Sequence, residues 1–183
     1  MVMENKTKKK EAIYICLIIG ITLLLIFRAH FSFQQSDESF YLAITKRLLN
    51  GDSLIIDEWF PTQFYTPILL PFLWLYNFFF GCDGILLFFR VLVLCFICCV
   101  SIEGFLFFVK ERNMAPLRAF VISGLCLMYA KSNNFGAGYS NLCVYFAILF
   151  VIRMLRKKDF SAGILAALCT LCMPFFGGAG TDW

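Results

Sequence analysis

Hydrophobic and polar positions along the chain fall into long blocks rather than a fine alternation. A basic head carrying Lys6, Lys8, Lys9 and Lys10 gives way to an apolar run over 12–27. Further apolar runs cover 67–80, 85–109, 119–130, 141–152 and 160–176. A membrane-crossing helix needs about 17–25 residues, and one of about 10–14 suits an interfacial or re-entrant piece. On that measure 67–80 is a surface helix: it is short and carries Pro71 inside it, where a long helix would be kinked. The runs 119–130 and 141–152 are also short, so either their helices extend into the polar 131–140 linker or one of them is imperfectly inserted. The exit of the first run, Arg28-Ala29-His30-Phe31, lacks the small-x-small pattern of a signal-peptide cleavage site, which predicts an uncleaved first span.

A different pattern occupies 34–51. Ser36 stands as an N-cap, Asp37 and Glu38 fill the first turn, and Gly51 closes the segment. At roughly 100° per residue, Asp37 shares a face with Tyr41, Ile44 and Leu48, while Lys46 points the other way. The segment is predicted to be an amphipathic helix with Asp37 heading its apolar side.

Composition turns these runs into membrane segments. Of 183 residues, 61% are hydrophobic and only 15% charged, with a mean hydropathy of +0.79. Soluble domains run near 45–50% apolar and about 25% charged, so disorder and simple nucleic-acid binding are excluded. Lys and Arg are retained on the cytoplasmic side. If 67–80 does not cross, 11 of the 16 basic residues lie inside; if it does, only 6 do. The first arrangement is the one predicted. It gives an all-α, polytopic transmembrane helical bundle of about five spans in the cytoplasmic membrane, with the N-terminus inside. The basic N-terminus covers 1–11, the first transmembrane helix 12–27, and an outer loop with juxtamembrane helices near 37–50 and 67–80 covers 28–84. Four further transmembrane helices lie within 85–176, and an outer tail covers 177–183.

Nine cysteines raise the question of a metal or disulfide framework. Eight fall within apolar runs and only Cys82 lies in a loop. A four-thiolate zinc site built from Cys95, Cys98, Cys169 and Cys172 would put net negative charge in hydrocarbon, so these residues read as small packing groups and no metal site is predicted. Arg90, near the outer end of the 85–109 run, either snorkels to the headgroups or serves a site on the outer face. Glu103 lies nearer the inner end.

Seven of the twelve acids fall on the outer side: Asp37, Glu38, Asp52, Asp57, Glu58, Asp83 and Asp182. Acids in a first helical turn complement the helix dipole. A carboxylate partly desolvated by apolar neighbours also gains a raised pKa and can take a proton from a hydroxyl. Trp59, Gln63, Phe64 and Tyr65 accompany Asp57 and Glu58 in the same loop. Rings beside acids suit carbohydrate, and they equally suit a membrane-interface belt.

In the order of these features the chain resembles the N-terminal part of the GT-C integral-membrane glycosyltransferases. These use polyprenyl-phosphate sugars and include the protein O-mannosyltransferases and the bacterial aminoarabinose transferases. The resemblance rests on one span followed at once by Asp37-Glu38 and an aromatic at Phe40 or Tyr41, then an amphipathic helix ending in Gly51-Asp52. It continues with a surface helix opened by Pro67, a Phe80-Gly81 stop and Arg90 opening the second span. It implies Asp37 as general base, with Glu38 orienting substrate or Asp37 itself. Tyr41, Asp57, Glu58, Trp59, Gln63, Tyr65, Arg90 and Lys131 are then the substrate-binding candidates. Arg90, Arg28 and Lys131 are the outer-side cations for phosphate.

The implied donor is a polyprenyl-phosphate sugar in membrane lipid, and the implied acceptor is a hydroxyl on a glycan, lipid or protein. No cofactor is implied, a divalent metal stays open, and no nucleic acid is expected. GT-C proteins carry more spans than this chain, which is therefore expected to be incomplete. The alternative is a non-catalytic polytopic membrane protein, an accessory subunit or transporter fragment.

Overall fold

A computed structural model describes residues 2–31, 37–57, 63–128 and 136–173, except for the side chains of 2–9 and of Asp37. Among the described residues it holds seven α-helices and one 3-10 turn: α1 Val2–Ala29, α2 Asp37–Leu49, the turn Gln63–Tyr65, α3 Thr66–Phe80, α4 Ile85–Lys110, α5 Pro116–Met128, α6 Tyr139–Leu155 and α7 Asp159–Cys172. The chain divides into two compact units, Met1–Ser32 with Val91–Phe135 and Phe33–Arg90 with Gly136–Trp183.

Among the described residues two helices are long and apolar enough to cross a membrane, Lys10–Ala29 and Ile85–Lys110; both belong to the first unit, the latter lending its first turns to the second. They contain the apolar runs 12–27 and 85–109, and α1 continues back through the basic head to Val2. The remaining apolar segments form shorter helices: α5 has 13 residues, α6 has 17 and α7 has 14. At about 1.5 Å per residue they run roughly 20–25 Å, less than the hydrocarbon thickness of about 30 Å. Among the described residues, one of the four full spans expected within 85–176 has that length. Nor does α6 draw its extra length mainly from the polar linker; it starts at Tyr139 and gains three residues beyond Ile152.

In this unit Gly104 of α4 and Ser123 of α5 come within ordinary van der Waals reach. A methyl group added at Gly104 of α4 would lie 3.9 Å from Ser123 Cβ of α5. Tyr14 of α1 sits with its ring centroid 5.2 Å from Phe120 and 6.1 Å from Phe105.

In the second unit α2 packs on α3, and α6 pairs with α7 as a hairpin. Gly51, with φ of 107°, ends α2 in a conformation that suits a residue without Cβ. Helix α3 buries only Thr66, Leu69 and Leu73, spaced as one helical stripe. Its other face leaves Trp74, Phe78, Phe79 and Phe80 exposed. The turn from α3 to α4 is closed by the Tyr76 hydroxyl donating to the Asp83 carbonyl and by Tyr76 stacking on Phe88 at 4.5 Å. Within the hairpin, the Cys143 and Cys169 thiols each lie 3.7 Å from the other residue's carbonyl oxygen. Cys143, Cys169 and Cys172 are buried, so small thiols sit where the two helices meet.

Cys82 is exposed in the 81–84 turn. A membrane-impermeant maleimide is expected to label it from outside in intact cells, with Cys82→Ser as the background control. Protection of Cys82 until the cells are permeabilised would mean that α3 crosses the membrane.

Candidate functional site

Helix α2 turns a different face inward from the one its apolar periodicity predicts. Its buried residues are Glu38, Tyr41, Leu42, Ile44 and Thr45. That face is rotated roughly 60° from the Asp37–Tyr41–Ile44–Leu48 stripe, toward Glu38. The Thr45 hydroxyl donates to the Tyr41 carbonyl at 2.8 Å, which satisfies the one neutral polar side chain on the face.

Burying Glu38 requires a partner, because an isolated carboxylate in an apolar setting is strongly disfavoured. Arg90, at the start of α4, supplies it. Its Nε donates to Glu38 Oε2 at 2.9 Å and Oε1 at 3.2 Å, and its Nη2 donates to Oε2 at 2.9 Å. The two side chains are 3% and 11% exposed, so water screens the pair little. Glu38 therefore orients Arg90 and the first turn of α2.

A backbone segment closes over this pair. A methyl group built on Gly136 would lie 2.7 Å from Glu38 Cδ, 2.9 Å from Cγ and 3.0 Å from Cβ, so only a residue without a side chain fits. The next residue offers its carbonyl, Ala137 O, to the Tyr65 hydroxyl. Tyr139 then meets Tyr41 edge-on at 5.5 Å, and Tyr41 meets Tyr65 edge-on at 5.0 Å. Burial, with Tyr41, Cys172 and Glu38 adding to it, pushes the Tyr65 phenol well above its ordinary value, so at neutral pH it stays a hydrogen-bond donor.

The structure thus brings together Glu38, Tyr41, Tyr65 and Arg90 from the sequence-based set. Gln63 is also buried, and its Oε1 accepts from the Ile55 N–H at 3.0 Å, tying down the loop ahead of α3. Asp57 is exposed, and its carboxylate accepts from the Ser53 N–H at 2.6 Å, closing a local turn. Asp52 pairs with Arg47 at 2.7 Å. Arg28 lies in the last turn of α1, in the other unit. Glu58, Trp59, Lys131 and the N-cap position Ser36 lie outside the described residues, as does the Asp37 side chain; the Asp37 backbone opens α2.

Gly136, Ala137 and Tyr139 are the members that sequence reasoning missed. Their only local signal is the Gly-Ala-Gly-Tyr run at the end of a polar linker. Gly136→Ala is expected to lower stability by about 1–3 kcal/mol, the usual range for forcing an extra carbon into filled space. Thermal unfolding of the purified chain in detergent measures this. An unchanged midpoint would show that the backbone does not approach Glu38 so closely.

Compared with models of known protein families, with curated proteins and with solved structures, the chain matches none.

Proposed function

We propose that the chain is a multi-pass helical protein of the cytoplasmic membrane, N-terminus inside, acting as a GT-C-type glycosyltransferase. In this reading it transfers a sugar from a polyprenyl-phosphate donor to an acceptor hydroxyl on the outer face. The observation that carries it is the acid pair opening α2 within a few residues of the first apolar helix, with Glu38 buried against Arg90. Holding Glu38 in place fixes the first turn of α2, and so fixes the backbone position from which Asp37 acts.

A polyprenyl phosphate is already a good leaving group, so the reaction needs no strong general acid. It needs a base for the acceptor hydroxyl and positive charge near the departing phosphate. Asp37 is the base and Glu38 its positioning neighbour. Arg90 is the cation for the phosphate, and it shares its charge with Glu38.

Transfer of a lipid-linked sugar by native membranes in which the chromosomal copy carries Asp37→Asn tests the assignment. Loss of transfer with normal amounts of protein is expected, and unchanged transfer would overturn it. One observation favours the alternative of a non-catalytic membrane subunit: Glu38 and Arg90 neutralise each other, as a purely structural pair does. The same experiment separates the two readings.

A further inference from the structure

We propose that the turn joining α6 to α7 is a docking surface for the anionic headgroups of membrane phospholipids. Arg153, Arg156, Lys157 and Lys158 fall within six residues there, against the single carboxylate of Asp159. Lys157 and Lys158 are exposed. They are flanked by Met154 and Leu155, each about half exposed, and by Phe160, which is 85% exposed. Cations set among exposed apolar side chains match a bilayer interface, where the apolar groups enter the acyl boundary and the cations meet lipid phosphates. A face adapted to water alone has no use for the apolar flank.

The backbone adds a second observation. Lys157 has φ of 56°, the left-handed position that follows a helix, where glycine is the usual residue. Around it the Lys157 N–H donates to Met154 O and the Lys158 N–H to Arg153 O, each at 3.0 Å. A lysine therefore stands at the tip of the turn against the preference of its own backbone, and what it brings that glycine lacks is its charge and long stem.

The hairpin also sets its two ends apart. Helix α6 has 17 residues, about 25 Å of length. At its start Gly136 and Tyr139 meet Glu38, Tyr41 and Tyr65; at its far end is the basic turn. The ion-paired site and the cations thus belong to opposite ends of one hairpin, as they would if each faced its own side of the bilayer.

This inference rests on the membrane reading but not on glycosyl transfer. The test uses the purified chain in nanodiscs of mixed phosphatidylcholine and phosphatidylglycerol, with native mass spectrometry counting the lipids retained. The wild type is expected to retain phosphatidylglycerol preferentially, and each lysine neutralised in Lys157→Gln and Lys158→Gln to lower that preference about fivefold. Lys157→Gly separates charge from architecture: it should raise the unfolding midpoint by relieving the backbone while losing the same fivefold. Lys46→Gln, on α2, should change nothing. Undiminished preference in the double variant, or displacement of the lipid by millimolar inorganic phosphate, would overturn the proposal. Alkaline carbonate extraction reports separately on the membrane reading. A chain that resists extraction yet shows no lipid preference sinks the docking surface alone, and a chain that is released sinks both.

Discussion

Replacing Arg90 by leucine is expected to destabilise the protein by about 3–5 kcal/mol, because it leaves the Glu38 carboxylate buried without its cation. Surface ion pairs rarely contribute more than about 1 kcal/mol, since water screens them and two long side chains must be ordered. Here both partners are nearly out of solvent, and the guanidinium meets both carboxylate oxygens. Geometry of that kind makes the loss of one partner far costlier than the loss of both. The double variant Glu38→Met, Arg90→Leu should therefore recover most of the loss, and Glu38→Met alone should resemble Arg90→Leu. Chemical unfolding of the four proteins in one detergent gives the coupling energy directly. If the single variants cost no more than about 1 kcal/mol, the pair behaves as a surface bridge and does not set the register of α2.

Asp37→Asn is expected to lower sugar transfer by about 100- to 10,000-fold, the range supplied by a positioned general base, with no comparable change in unfolding. In the proposed reading the loss falls on kcat, because the amide keeps the shape of the side chain and removes only its ability to accept a proton. Glu38→Gln should behave otherwise. It removes charge from a buried pair, so it lowers stability first and transfer through displacement of α2. Comparing the two neighbours within one protein distinguishes a reacting group from a positioning one. Equal losses of stability and turnover in both variants would assign the acid pair wholly to architecture.

Much of the helix inventory is legible in the sequence because the signals are local. Ile85–Lys110 follows from an apolar run bounded by Gly84 and charged residues. Asp37–Leu49 follows from acids at one end and Gly51 at the other, and Thr66–Phe80 from Pro67 and Gly81. Each depends on residues within a turn or two of the boundary. The orientation of α2 does not. Any rule based on apolar periodicity places a glutamate outside, and Glu38 comes inside only because Arg90, 52 residues later, arrives beside it. Gly136 is hidden for a related reason, since the carbon atoms that exclude a side chain there belong to Glu38, almost a hundred residues earlier.

By itself, then, the sequence determined the all-helical class, the two long apolar helices and the acid pair leading α2, since propensity, capping and hydropathy act over neighbouring residues. Only the tertiary structure decided which acid is buried, which cation neutralises it and which glycine closes over it. Pairing of buried charges and steric exclusion act through space, between segments whose proximity no local pattern records.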